Sequence, residues 1–209
     1  SGQSVLPSLE SHILPLVPGL AERLAAGIDV ADLGCGRGLI LRKLATLFPN
    51  SRFTGIDLSQ DAIAYAQTQA ASLPNVRYVA RDLSSFDTTA ERDAYDLITT
   101  FDAIHDQAQP RNVLKGIHRA LRADGVYLMQ DISGTGHVHK DADHPLGTLL
   151  YTVSCMHCMT VSLAQGGEGL GAMWGEEKTI EYLRRAGFAS ITKKKLAHDV
   201  QNNWYVVQK

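Results

Sequence analysis

Five short apolar runs, separated by stretches with helical periodicity, constrain this chain more than any other feature. The runs are IDVADLG, RFTGIDL, VRYVARD, YDLITTFD and GVYLMQDI. After the first, LILRKLATLF places apolar residues at helical spacing until Pro49 stops it. After the second, Ser59 is a candidate cap for AIAYAQTQAAS, with Asp61 in the favourable first turn. After the fourth, PRNVLKGIHRAL opens with Pro110 where a helix tolerates proline, and Asp124-Gly125 then turns the chain into the fifth run. Strands alternating with helices predict a parallel sheet covered on both faces.

The ends extend this pattern. LESHILPLVPGLAERLAAG reads as two short helices kinked by Pro15 and Pro18, with Gly27 closing the second. EEKTIEYLRRAGF is an amphipathic helix ending at Gly187, and SITKKKL and NWYVVQK follow as two more strands. The expected fold is therefore α/β, a doubly wound, seven-stranded, mostly parallel sheet in a single domain over 1–209. Residues 133–175 interrupt it as an insertion after the fifth strand, expected to cover the active site as a lid. Within that insertion SGTGHVHKDADHPLG reads as a polar loop, GTLLYTVSCMHCMTVSLA as a packed helix and QGGEGLGAMWG as a mobile glycine-rich segment.

Charge narrows the partners. A net charge of −2 gives no electrostatic case for nucleic acid. The basic run Lys193-Lys194-Lys195 reads as protection of a sheet edge. No run reaches the roughly 18 apolar residues of a membrane span, and no signal-peptide layout opens the chain. Three cysteines form no complete disulfide framework, so a reducing cytoplasm is the expected compartment.

The turn after the first strand carries the chemistry. VADLGCGRG places Gly34, Gly36 and Gly38 where doubly wound sheets bind nucleotide-like ligands, and Leu39 stands where the dinucleotide fingerprint wants glycine. Asp57 closes the second strand, where a carboxylate accepts hydrogen bonds from both hydroxyls of a ribose. Asp82 closes the third and is placed for the exocyclic amine of an adenine. An NAD-dependent oxidoreductase shares the ribose carboxylate, but the glycine spacing and the lack of an evident tyrosine–lysine pair argue against it.

VADLGCGRG, GIDLS and ARDLSSF resemble the first three motifs of the class I methyltransferases that use S-adenosylmethionine, and the resemblance covers nearly the whole chain. FDAIHDQAQP, DHPLGTLLYTVSCMHCMTVSLAQGGEGLG and WGEE resemble more narrowly a bacterial subgroup that typically carries a winged-helix domain ahead of the methyltransferase domain. The chain holds no such winged helix, which fits a C-terminal domain standing alone. The resemblance implies S-adenosylmethionine as cofactor and S-adenosylhomocysteine as product. It implies that Gly34, Cys35 and Gly36 pass the methionine part and that Asp32 reaches its amino group. Asp57 would hold the ribose with Leu58 on the adenine face, and Asp82 with Leu83 the adenine edge. Phe101 and Asp102 would border the sulfonium and the substrate.

Methyl transfer to a hydroxyl needs a base. His105, with Asp102 and Asp106 nearby in sequence, is the first candidate; His144 and His157 lie in the insertion, and His137 and His139 read as solvated. Cys155 and Cys158 with His157 supply at most three ligands where structural zinc wants four, so packing on one helix face accounts for them and no metal is expected. The apolar face of that helix suits a lid over an apolar substrate and would equally suit a homodimer interface. The leading reading is methyl transfer to a small molecule at oxygen, without membrane or nucleic-acid partners. A non-catalytic module sensing the cofactor or its product is the alternative.

Overall fold

The computed structural model describes residues 5–209. Before the sheet, short tight and wide helical turns run over Leu6–Ser8, Leu9–Ile13 and Leu14–Leu16, and helix α1 spans Leu20–Ala26. Pro7 and Pro15 each sit near the start of a tight turn, so the first part is irregular rather than one short α-helix. Gly27, at φ 111°, closes α1 as its sequence position implies.

The sheet then builds through β1 (Asp29–Leu33), α2 (Leu39–Leu47), β2 (Arg52–Asp57), α3 (Gln60–Gln69), β3 (Val76–Ala80), α4 (Phe86–Thr89), β4 (Tyr95–Phe101), α5 (Pro110–Ala120) and β5 (Leu121–Ile132). β5 starts earlier than the Asp124-Gly125 turn suggests, because Leu121 already pairs with Tyr95 before a register shift. The insertion contributes α6 (Gly147–Val153), a wide turn over Ser154–Cys158 and α7 (Met159–Ala164). Helix α8 (Glu176–Ala186) and strands β6 (Ser190–Lys194) and β7 (Asn202–Gln208) complete the chain.

The strand order is β3-β2-β1-β4-β5-β7-β6. The first five run parallel; β7 is antiparallel to β5, and β6 is antiparallel to β7. The chain winds outward from β1 to β3, then returns to β4 on the other side of β1. A crevice opens at the carboxyl ends of β1 and β4, the point where such sheets bind ligands. β6 is an edge strand, and its Lys193 pairs with Glu176 at 2.7 Å.

Two cores sandwich the sheet. One joins the N-terminal turns, α2 and α3 to Phe53, Leu97, Phe101 and Trp204. The other joins α5 and α8 to Ile98, Tyr127, Met129 and Tyr205. A third, smaller core forms inside the insertion from Ile132, Leu150, Cys158, Ala172 and Met173. This corrects the expectation of a mobile glycine-rich segment: Ala172, Met173 and Trp174 are buried, and an added Cβ on Gly171 would collide with Ser154 Oγ.

The helix also differs from its sequence reading. Met159 N–H reaches back to Ser154 O, one residue further than in an α-helix. That wider turn separates the two cysteines expected to share a face: Cys155 is exposed and Cys158 buried. The three helical pieces merge into Gly147–Ala164, which by length and composition alone passes for a membrane span, with mean hydropathy 1.2. The expectation that no segment reaches that length is corrected accordingly. In the fold this helix docks on the domain, with Ser162 Oγ donating to Gln107 O at 3.1 Å.

Candidate active site

The glycine turn is held from below. Gly34 N–H and Cys35 N–H both donate to Ile56 O, at 2.8 and 3.2 Å. Gly34, Gly36 and Gly38 all adopt positive φ, the backbone conformation in which glycine is least strained. Two of them also make room for protein rather than ligand. A Cβ on Gly34 would stand 2.6 Å from Ala103 Cβ, and one on Gly38 would enter the Tyr78 ring. Tyr78 fills that space and donates its hydroxyl to Gly38 O at 2.9 Å. Only beside Gly36, of these three, is nothing within 4 Å of an added Cβ.

Asp57 ties the turn to the next strand end. Its Oδ2 accepts Gly36 N–H at 2.8 Å and its Oδ1 accepts Ser59 N–H at 2.9 Å. Each oxygen keeps a lone pair for a further donor. Asp82 accepts both the N–H and the hydroxyl of Ser84 on Oδ1, which holds its carboxyl below the usual range.

A cavity of about 440 Å³ opens above these ends, within the range of small-ligand sites. Gly34, Asp57, Leu58, Asp82, Leu83 and Asp102 line it from the sheet side. His157, Val161 and Gln165 line it from the inserted helix. Leu58 is 54% exposed, an apolar surface left open beside two carboxylates.

Other expected residues sit elsewhere. Asp32 is buried beneath the turn, accepting the Thr99 hydroxyl at 2.8 Å. Burial, with Asp57's charge adding and Thr99 opposing, pushes its pKa up to about 7. The Cys35 thiol turns toward Gly55, and burial raises its pKa well above the ordinary range. The Phe101 ring packs edge-on against Trp204, 6.1 Å between centroids, inside the core. Cys35 and Phe101 therefore offer the cavity no side chain; what they can offer is backbone.

The turn after β4 is where polar groups gather. Asp102 adopts φ 51°, uncommon for a residue with a side chain, and its Oδ1 is buried without a hydrogen-bond partner. Burial, reinforced by Asp131's charge and opposed by His105, pushes its pKa up to about 7. His105 is 3% exposed and is joined not to Asp102 but to Asp131, Nδ1 to Oδ1 at 2.6 Å. The same Asp131 oxygen accepts Ile132 N–H at 2.8 Å and Trp174 Nε1 at 3.3 Å. Burial disfavours the charged ring, yet the Asp131 charge and hydrogen bond, with Cys158 and Asp106 adding, hold the His105 pKa well above its ordinary value. The other ring nitrogen faces Asp106 at 3.4 Å.

Asp131 was missed by sequence reasoning. The one signal was a carboxylate ending the otherwise apolar run GVYLMQDI, and nothing in the sequence tied it to His105. His144 does not join the group; its Nδ1 accepts Leu146 N–H at 3.1 Å within its own turn.

Residues 24–187 match the family model described as a methyltransferase domain. A malonyl-[acyl-carrier protein] O-methyltransferase from Bacillus cereus is 32% identical over 114 residues, 52% of this chain and 40% of that protein. A ubiquinone biosynthesis O-methyltransferase from Glaesserella parasuis is 26% identical over 117 residues, 54% of this chain and 49% of that protein. These matches thus span less than half the length of the curated relatives. Among solved structures, the S-adenosylmethionine-dependent methyltransferase SibL aligns with a TM-score of 0.67 at 19% identity, covering 97% of this chain and 55% of that one.

Proposed function

The chain belongs to the methyltransferase-domain family, and from that premise we propose that it is a class I S-adenosylmethionine-dependent enzyme that methylates a small molecule at oxygen. The observation that carries the proposal is the buried His105–Asp131 pair, next in sequence to Asp106 on the wall of a cavity that Asp57, Leu58 and Asp82 also line. Both curated relatives named above are O-methyltransferases, which supports oxygen as the acceptor atom.

The residues present fit the cofactor. Asp57 keeps acceptor capacity for two ribose hydroxyls, exposed Leu58 offers a face to an adenine, and Gly36 leaves space at the turn. The unpartnered Asp102 oxygen, on the cavity wall, suits a ligand carrying positive charge. S-adenosylmethionine supplies an electrophilic methyl group on a sulfonium, which departs as the neutral thioether of S-adenosylhomocysteine.

The chain's own part is alignment, exclusion of water and movement of one proton. Asp57 and Asp82 fix the nucleoside, and the insertion over 133–175 acts as a lid that shields the reacting atoms. His105 Nε2, with Nδ1 held by Asp131, takes the acceptor's hydroxyl proton once the ring is neutral. Asp102 would border the sulfonium and balance its charge. The net charge of −2 favours a small acceptor over nucleic acid, and the cytoplasm is the proposed compartment.

Calorimetric titration with S-adenosylmethionine and S-adenosylhomocysteine, beside NADH, tests the cofactor assignment in wild type and Asp57→Ala. Turnover is then followed as S-adenosylhomocysteine release with phenolic, carboxylic and thiol acceptors. Binding followed by release with a hydroxyl or carboxyl acceptor supports the proposal. Binding without turnover on any acceptor would favour a cofactor-sensing module instead.

A further inference from the structure

At the seam between the inserted helix and the turn after β4, three ligand-type side chains converge. His105, Asp106 and Cys158 each bring one donor atom, all within 4.8 Å of one another. We propose that this cluster binds a thiophilic divalent cation of the zinc class, and that the cation competes with proton transfer at His105. The competition rests on the base role proposed above; the binding does not.

The donor set selects the metal. One imidazole, one thiolate and one carboxylate suit zinc and its thiophilic neighbours, whereas magnesium and calcium favour oxygen ligands. Three protein ligands with a fourth position open is a common arrangement for non-structural zinc. Of the three ligands only Asp106 lines the cavity, while His105 and Cys158 are buried behind it.

Three observations point to a cation here. His105 Nδ1 is engaged with Asp131, which leaves Nε2 as the ligating nitrogen and supplies the carboxylate that typically orients a metal-bound histidine. Asp131 Oδ2 is buried with no hydrogen-bond partner, a costly state for a carboxylate oxygen, and Asp106 Oδ1 makes no hydrogen bond and faces His105 Nε2 at 3.4 Å. The charge is also lopsided: Asp106 and Asp131 flank one imidazole, and among the described residues no lysine or arginine is ion-paired to either. The wide turn over Ser154–Cys158 is what directs Cys158, and not the exposed Cys155, into this group.

The consequence for the reaction is direct. An Nε2 lone pair engaged by a metal accepts no proton, and a Cys158–metal bond fastens the inserted helix to the turn beneath it.

The chelator-treated chain over residues 1–209 is titrated with Zn²⁺ by calorimetry and with Co²⁺ by absorption, without cofactor. The expected result is one equivalent bound, with a thiolate-to-Co²⁺ charge-transfer band that disappears in Cys158→Ser and persists in Cys155→Ser. Zinc affinity falls at least about tenfold in Cys158→Ser and His105→Ala. One equivalent of zinc suppresses wild-type turnover and leaves Cys158→Ser insensitive. S-adenosylhomocysteine binding confirms that each variant is folded.

Absence of stoichiometric binding, or a cobalt band that survives Cys158→Ser, overturns the site. Zinc that binds and accelerates turnover overturns the competition. A chain that binds zinc through these residues but no sulfur nucleoside would sink the methyltransferase proposal and leave the metal site standing.

Discussion

His105 Nδ1 stands 2.6 Å from Asp131 Oδ1, joining the turn after β4 to the carboxyl end of β5. The sheet order makes this meeting possible, since β4 and β5 are parallel neighbours whose ends lie side by side. A histidine oriented in this way can serve as a base only when its ring is neutral.

Replacing His105 with alanine should lower kcat by about 10²- to 10⁴-fold while leaving S-adenosylhomocysteine affinity unchanged. A loss in cofactor affinity as large as the loss in kcat would show that the residue holds the site together and does not move the proton. Single-turnover rates beside calorimetry separate the two.

The pH profile follows from the same pair. Burial works against the charged ring, but Asp131's charge outweighs it and holds the His105 pKa well above 6.5. The ring is therefore protonated and idle at low pH, and turnover should rise with pH on an alkaline limb. Asp131→Asn removes the charge, so the limb should move to lower pH as the plateau falls. A kcat/KM profile whose midpoint stays put in Asp131→Asn would dismiss His105 as the titrating group.

The sheet was legible in the sequence because alternating strands and helices have few topological solutions, and the glycine turn and Asp57 fell at the ends where those solutions place ligands. The His105–Asp131 contact was not legible. It joins two strand ends, and which side chains meet there depends on register, which no single strand encodes. His105 was instead read beside Asp102 and Asp106, its neighbours in sequence. The cysteine pair misled for a different reason: spacing implies a shared face only if the helix is regular, and Ser154–Cys158 is wound more widely. In QGGEGLGAMWG the glycines suggested mobility, while burial of Met173 and Trp174 in the fold holds the segment in place.

Asp57 should prove the strongest determinant of cofactor affinity. It accepts two backbone N–H groups and is placed to accept ribose hydroxyls besides. Hydrogen bonds to a charged group contribute about 1.5–3 kcal/mol, so Asp57→Ala should weaken S-adenosylhomocysteine binding by about 10- to 100-fold. A change under threefold in calorimetry would move the ribose site elsewhere.

Stability should depend on pH through Asp32. Its folded pKa is pushed up to about 7 from an ordinary 3.8, so between those values the folded state holds a proton that the unfolded chain has released. Stability then falls as pH rises across that window, and the full displacement corresponds to about 4 kcal/mol. Asp32→Asn should flatten this slope and be more stable than wild type above pH 7. Urea unfolding at intervals from pH 5 to pH 8 reads the effect, and parallel slopes for the two proteins would refute it.

Gly34 and Gly36 look equivalent in sequence, yet the fold uses them differently. Both have positive φ, so alanine at either position carries a conformational cost of about 1–3 kcal/mol. Only at Gly34 does the new methyl also collide, at 2.6 Å from Ala103 Cβ, whereas an added Cβ at Gly36 meets nothing within 4 Å. Gly34→Ala should therefore destabilise more than Gly36→Ala. Ala103→Gly removes the colliding atom, and the next nearest, Ala103 Cα, stands 3.8 Å away. The double variant Gly34→Ala/Ala103→Gly should then recover about 1 kcal/mol or more relative to the sum of its singles, a coupling measurable by a double-mutant cycle in urea. Simple additivity would mean that the turn moves away from Ala103 at little cost. Gly34 would then be required for its backbone conformation alone.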